Sequence, residues 1–147
     1  MSKHVAASAS VLIDRPVDDV FAFFADAENS PRWRSGVISI RRVGEDLGVG
    51  TVYEQSVAGP GGRPIRADIR LTAYEAGRRV AFETIAGPVR PRGEYLFEPV
   101  EGGTRVVFDL AADLDGVKAL LMAGPVQKTM DAEVAALAKA KDQLEHP

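Results

Sequence analysis

The chain has 147 residues, 46% of them hydrophobic and 27% charged, a balance suited to one globular domain over residues 1–147 rather than two. Eighteen Lys and Arg against 21 Asp and Glu leave a net charge of −3, which excludes the basic excess of a nucleic-acid binder. Cysteine is absent, so disulfides and thiolate nucleophiles are excluded.

The opening Met1-Ser2-Lys3-His4 carries no apolar h-region, and no run of about 18 apolar residues follows anywhere. The expectation is a cytoplasmic protein without integral membrane association. Val5 to Ile13 reads as the first strand, with Val5, Ala7, Ala9, Val11 and Ile13 on one face at period two. Asp14 is placed to cap a helix, Pro16 to start it, and Asp18 and Asp19 to favour its N-terminal dipole. Val17, Val20, Phe21 and Phe24 then form one helical stripe, and a second short helix is expected over Ala27 to Trp33, ended by Pro31 and Gly36.

From residue 37 the pattern becomes one of strands and turns: Val37 to Val43, a turn at Gly44 to Gly50, then Thr51 to Val57 and a glycine-rich loop at Gly59-Pro60-Gly61-Gly62. Pro64 to Tyr74 alternates Ile65, Ala67, Ile69, Leu71 and Ala73 against Arg66, Asp68, Arg70 and Thr72, as a half-buried antiparallel strand does. Arg79 to Ala86, a turn at Gly87-Pro88, Arg90 to Glu98, a hairpin turn at Glu101-Gly102-Gly103, and Thr104 to Leu114 complete the series. Asp115 is placed to cap a helical segment through Met122, which Gly124-Pro125 kinks or restarts. Val126, Met130, Val134, Leu137 and Leu144 give the tail an apolar stripe.

This order predicts an α+β fold: a seven-stranded curved antiparallel sheet gripping a long C-terminal helix, with two short helices between strands 1 and 2. Small inward residues at Ala67, Ala73, Thr84 and Ala86 leave room for an internal cavity.

Several stretches resemble the START-like, or SRPBCC, helix-grip superfamily, in its polyketide cyclase/dehydrase-like bacterial branch. They are Val11 to Phe21, Asp26 to Trp33 with Gly36-Val37, Gly48 to Tyr53, Tyr95 to Pro99, Gly102 to Val106 and Leu137 to Glu145. The resemblance spans nearly the whole chain. It implies the helix-grip fold but no single activity, because the superfamily includes lipid carriers, hormone receptors, cyclases and oxygenase domains.

The two histidines, His4 and His146, lie near the chain ends without metal-ligand spacing, so no metal, no cofactor and no histidine-based triad is expected. The Gly59 to Gly62 loop lacks the Lys-Ser/Thr of a phosphate cradle and reads as a hairpin able to gate a cavity. Arg66, Asp68, Arg70, Glu83, Glu94, Arg105 and Asp109 read as a solvated charge ladder on the outer face. Trp33 reads as a plug between the second helix and the sheet. Inward parity combined with the helix stripe predicts a ligand-binding wall of Tyr53, Gln55, Ile69, Leu71, Phe82, Thr84, Tyr95, Phe108, Met122, Val126 and Met130. Access is expected beside Gly59 to Gly62, Gly87-Pro88 and Gly124-Pro125, with Ala67→Phe as a substitution that would block the cavity.

Three functions fit this reading. The first is a carrier or sensor for a small, mostly apolar ligand of lipid, aromatic or polyketide type. The second is a cyclase/dehydratase-like enzyme with no catalytic residue assignable, and the third a protein-interaction module. The absence of an interior histidine weighs against the enzyme.

Overall fold

A computed structural model describes residues 2–147. Strand β1 (Ser2–Ile13) is followed by helix α1 (Val17–Ala25) and a 3₁₀ turn (Ala27–Arg32). Strands β2 (Val37–Val43), β3 (Val52–Ala58), β4 (Pro64–Arg66), β5 (Ile69–Glu75), β6 (Arg79–Thr84), β7 (Arg92–Val100) and β8 (Gly103–Asp115) come next, and helices α2 (Gly116–Ala135) and α3 (Leu137–Glu145) close the chain. The sheet runs β1-β8-β7-β6-β5-β3-β2, with the short β4 paired to β3 and every pairing antiparallel. The later strands form a meander, and β1 returns to pair with β8 along its full length. This is the expected helix-grip α+β fold.

The strand faces follow the alternation. Ile69, Leu71, Phe82, Tyr95, Phe97 and Phe108 are all buried, while Arg70, Glu83 and Glu94 lie on the outer side. There Arg70 pairs with Glu83, and Arg79 Nε donates to Glu94 Oε2 at 2.5 Å. Gly93 shows how tightly the sheet interior is filled. A Cβ at that position would stand 2.3 Å from Phe82 Cζ and 2.9 Å from a Leu110 methyl, so only glycine admits the Phe82 ring across the β6–β7 ladder.

Four expectations are corrected. First, Pro64 to Tyr74 is two strands, because the chain breaks at Ala67-Asp68. The Asp68 carboxylate accepts from the Gln55 backbone N–H at 3.1 Å and from Arg66 Nε and Nη2 at 3.0 and 2.8 Å, so it is buried and not part of the outer ladder. Second, Asp14 caps nothing. Pro16 holds the N-cap position of α1, and the Asp14 N–H donates to Glu145 Oε2 at 2.8 Å, tying the first loop to α3. Third, Asp115 stands at the N-cap of α2 without a capping bond from its side chain. Fourth, α2 runs unbroken through Gly124-Pro125. Pro125 removes the N–H that would serve the Leu121 carbonyl, but Leu121, Gly124 and Pro125 are all exposed, so water can serve it instead. The helix breaks at Ala136, whose N–H is shared among the carbonyls of Ala132, Glu133 and Val134.

The tail stripe is buried at Met130, Val134 and Leu137 and half-buried at Val126 and Leu144. Among the described residues no helix is long and apolar enough to cross a membrane.

This packing generates two predictions. Leu137 is 2% exposed, so Leu137→Asp buries a charge against β1 and the sheet at a cost on the order of 3–5 kcal/mol. At about 2–4 °C per kcal/mol for a chain of this size, thermal unfolding should show a loss of about 10 °C, and a melt within about two degrees of the parent would place the residue outside the core. The Arg66 guanidinium first, with the Gln55 N–H, holds the Asp68 carboxyl below its ordinary value of 3.8. A depressed folded-state pKa contributes stability above the unfolded value and loses it as pH falls through the folded one. The parent should therefore exceed Asp68→Asn in stability at pH 7, and denaturant melts should show that margin shrinking once the pH drops below about 4.

Candidate functional site

The concave face of the sheet is closed by aromatic side chains. Phe24 comes from α1, Trp33 from the end of the 3₁₀ turn, Tyr95 from β7 and Phe108 from β8. Tyr95 and Phe108 are cross-strand partners and stack with ring centroids 4.5 Å apart. Trp33 meets Phe24 and Phe108 edge-on at 5.5 and 5.8 Å, the geometry that aromatic quadrupoles favour. Trp33 is thus the expected plug between the 3₁₀ turn and the sheet.

Arg34 is set into this ring cluster. Its guanidinium carbon lies 5.9 Å from the Trp33 ring and 5.9 Å from the Phe108 ring, and its Nε donates to Glu133 Oε2 of α2 at 2.5 Å. The Arg34 and Glu133 side chains are only 11% and 17% exposed, so this is a largely desolvated ion pair. Burial alone would lower the Arg34 pKa, but the charges of Tyr95 once ionised and of the Glu133 carboxylate outweigh it and leave the pKa raised. Burial, with the Glu133 charge adding to it against Arg34, pushes Tyr95 up to about 12. At neutral pH Tyr95 is therefore an uncharged phenol beside a fixed cation, and both can donate hydrogen bonds.

Two spaces meet at Arg34. Inside is a narrow, partly open cavity of about 10 Å³ lined by Phe24, Ala27, Leu71, Phe82 and Tyr95 along with Arg34, roughly the space of one water. Outside is an open cleft of about 290 Å³ between Arg34-Ser35-Gly36 and the Lys128 to Ala136 stretch of α2 and its C-cap. The ion pair stands between them.

Of the predicted wall, Ile69, Leu71, Phe82 and Tyr95 line the inner cavity. Tyr53, Gln55, Thr84, Phe108 and Met130 are buried but do not line it, and Met122 and Val126 are half-buried on α2. The Tyr53 hydroxyl lies 3.4 Å from both Asp26 Oδ1 and the Ala27 N–H, and burial foremost pushes its pKa up to about 12. Gln55 Nε2 donates to the Ala67 carbonyl at 2.9 Å, while Gln55 Oε1 is buried without a partner among the described residues. Ala67 is half-buried at the strand break and does not line the cavity, so it is not the blocking position expected of it.

Arg34 and Glu133 were not expected in the site. Glu133 carries a signal all the same: it lies three residues after Met130 and four before Leu137, on the apolar stripe itself. Arg34 carries a weaker one, following the lone tryptophan directly.

The ion pair generates a prediction. Arg34→Met leaves Glu133 buried without its partner, at a cost of about 3–5 kcal/mol, whereas replacing both by Met and Leu should cost far less than the two single changes together. Denaturant melts of the full cycle check this, and additive losses would mean that the two groups do not interact.

A family model described as polyketide cyclase/dehydrase and lipid transport matches residues 4–141. Among solved structures, the di-domain ARO/CYC StfQ from the steffimycin biosynthetic pathway superposes with a TM-score of 0.80 at 15% identity, over 97% of this chain and 51% of that one. The chain thus spans about half the length of that di-domain protein. A Thermus thermophilus protein, TTHA0849, gives 0.77 at 23% identity over 97% of both chains, and Ara h 8.0201 gives 0.74 at 13% over 99% and 100%. At these identities the likeness is one of fold. No curated protein matches the sequence.

Proposed function

The chain belongs to the polyketide cyclase/dehydrase and lipid transport family, and from that premise we propose that it binds a small, mostly apolar molecule of lipid, aromatic or polyketide type between the sheet and α2, as a carrier or sensor. The observation that carries this reading is the pairing of a desolvated Arg34 and a neutral Tyr95 with a wall of Phe24, Leu71, Val80 and Phe82. Apolar pockets with one or two placed polar groups are how small ligands are oriented.

The inner cavity of about 10 Å³ is far below ligand size, so binding requires the wall to part. The hinge is α2. Of its 20 residues only Ala119, Met130 and Val134 are buried, and its first half exposes Val117, Leu120 and Leu121. Displacing a helix anchored at so few points costs less than unzipping a sheet ladder.

The cyclase/dehydratase reading draws on the same node, since Arg34 and Tyr95 together could hold and polarise a carbonyl oxygen. The carrier reading is preferred because both histidines are exposed, away from that node.

The uncharged fluorophore N-phenyl-1-naphthylamine tests the binding reading. It should gain fluorescence on titration and quench Trp33, the one tryptophan, which lies in the wall. Ala27→Phe adds a ring at the half-buried edge of the cavity and should abolish both signals while leaving the melting temperature near the parent's. Unchanged binding by that variant would put the probe elsewhere.

A further inference from the structure

The proposed site contains a feature that ligand binding alone does not explain: its cation is already occupied. Arg34 faces both the cleft and the inner cavity, and Glu133 holds it from the cleft side. Glu133 occupies a place left open for it. A Cβ at Gly36 would stand 2.8 Å from Glu133 Oε1, so the absence of a side chain there gives the carboxylate its room.

We propose that Glu133 is a displaceable stand-in for an acidic ligand: a molecule with a carboxylate, or an ionised phenol or enol, on an apolar body enters through the cleft, replaces Glu133 on the Arg34 guanidinium and lays its apolar part against Phe24, Leu71, Phe82 and Tyr95.

Electrostatics select that class. A neutral ligand lodges beside the intact pair, because parting it would leave a desolvated guanidinium without an anion, which is costly, whereas an acid that displaces Glu133 restores the pair. The charges facing the cleft are Arg34 and Lys128 against Glu133. Once Glu133 turns outward, two cations and the hydroxyls of Ser35 and Thr129 remain to receive an anion. Glu133 also has somewhere to go, because it lies on the cleft edge of α2 with solvent at hand. Glu133 thereby sets specificity at Arg34, since only an anion can replace it there.

The inference rests on the binding reading above, and a matched probe pair separates their failures. 1-Anilinonaphthalene-8-sulfonate and N-phenyl-1-naphthylamine share one aromatic body and differ by a sulfonate. Both are titrated into the parent, Glu133→Gln and Arg34→Gln/Glu133→Gln, with circular dichroism confirming the fold of each. The double variant carries no unpaired charge at the site and so guards against loss of folding. Glu133→Gln should tighten the anionic probe roughly tenfold or more and move the uncharged one by less than about twofold, and the double variant should lose that preference. Equal tightening of both probes, or no tightening of the anionic one, with the uncharged probe still bound, overturns the exchange and leaves the binding reading standing. Failure of the uncharged probe to bind any folded variant overturns both.

Discussion

Tyr95 and Phe108 stack across neighbouring strands with ring centres 4.5 Å apart, and Phe24, Trp33 and the Arg34 guanidinium close around them. A sheet curved around a helix must fill its concave side with something, and interiors tolerate few voids. Here rings from α1, the 3₁₀ turn, β7 and β8 fill it, so these elements cannot shift independently. The rings also explain why a strongly curved sheet leaves an inner space of only about 10 Å³ beneath them. Small residues at inward strand positions predict a larger void, but aromatic side chains reaching over from α1 and the 3₁₀ turn occupy it.

A cation inside an aromatic cluster needs an anion, and α2 supplies it through Glu133. This contact does more than join a helix to a sheet. It sets the boundary between an apolar interior and an open cleft, and it places the boundary on α2, of whose 20 residues only Ala119, Met130 and Val134 are buried. The sheet and α3 are held by long ladders and hydrogen bonds. β1 and β8 pair over twelve positions, and α3 is fastened to the start of the chain by Arg15 and Lys141 donating to the Glu145 and Leu12 carbonyls at 2.7 and 2.6 Å. A sheet held by long ladders beside a helix with few buried residues is the arrangement a closable pocket requires.

Period-two alternation made the strand faces legible, because burial on one side of a sheet leaves a direct mark on sequence; Phe82, Tyr95 and Phe108 point inward as read. The break at Ala67-Asp68 was hidden because Asp68 has outward parity in an unbroken strand, and only its tertiary partner, the Gln55 N–H on β3, shows that the carboxylate is engaged there. Gly124-Pro125 read as a helix break on local grounds, yet exposure of that stretch lets the helix run through. The site was half legible. Its apolar wall follows from strand parity, whereas the Arg34–Glu133 pair joins residues 99 positions apart. Charged residues far apart in sequence read as surface until the fold brings them together, even where one of them sits on an apolar stripe.

On the proposed reading α2, which holds Arg34 through Glu133, is the gate to a pocket lined by α1, the 3₁₀ turn and the sheet. Amide hydrogen exchange followed along the chain, with and without saturating N-phenyl-1-naphthylamine, measures this directly. Residues 116–135 should exchange much faster than β7 and β8 in the free protein and become protected when the probe is bound, while the sheet changes little. Protection of α2 equal to that of β8 in the free protein, and unaltered by the probe, would contradict it.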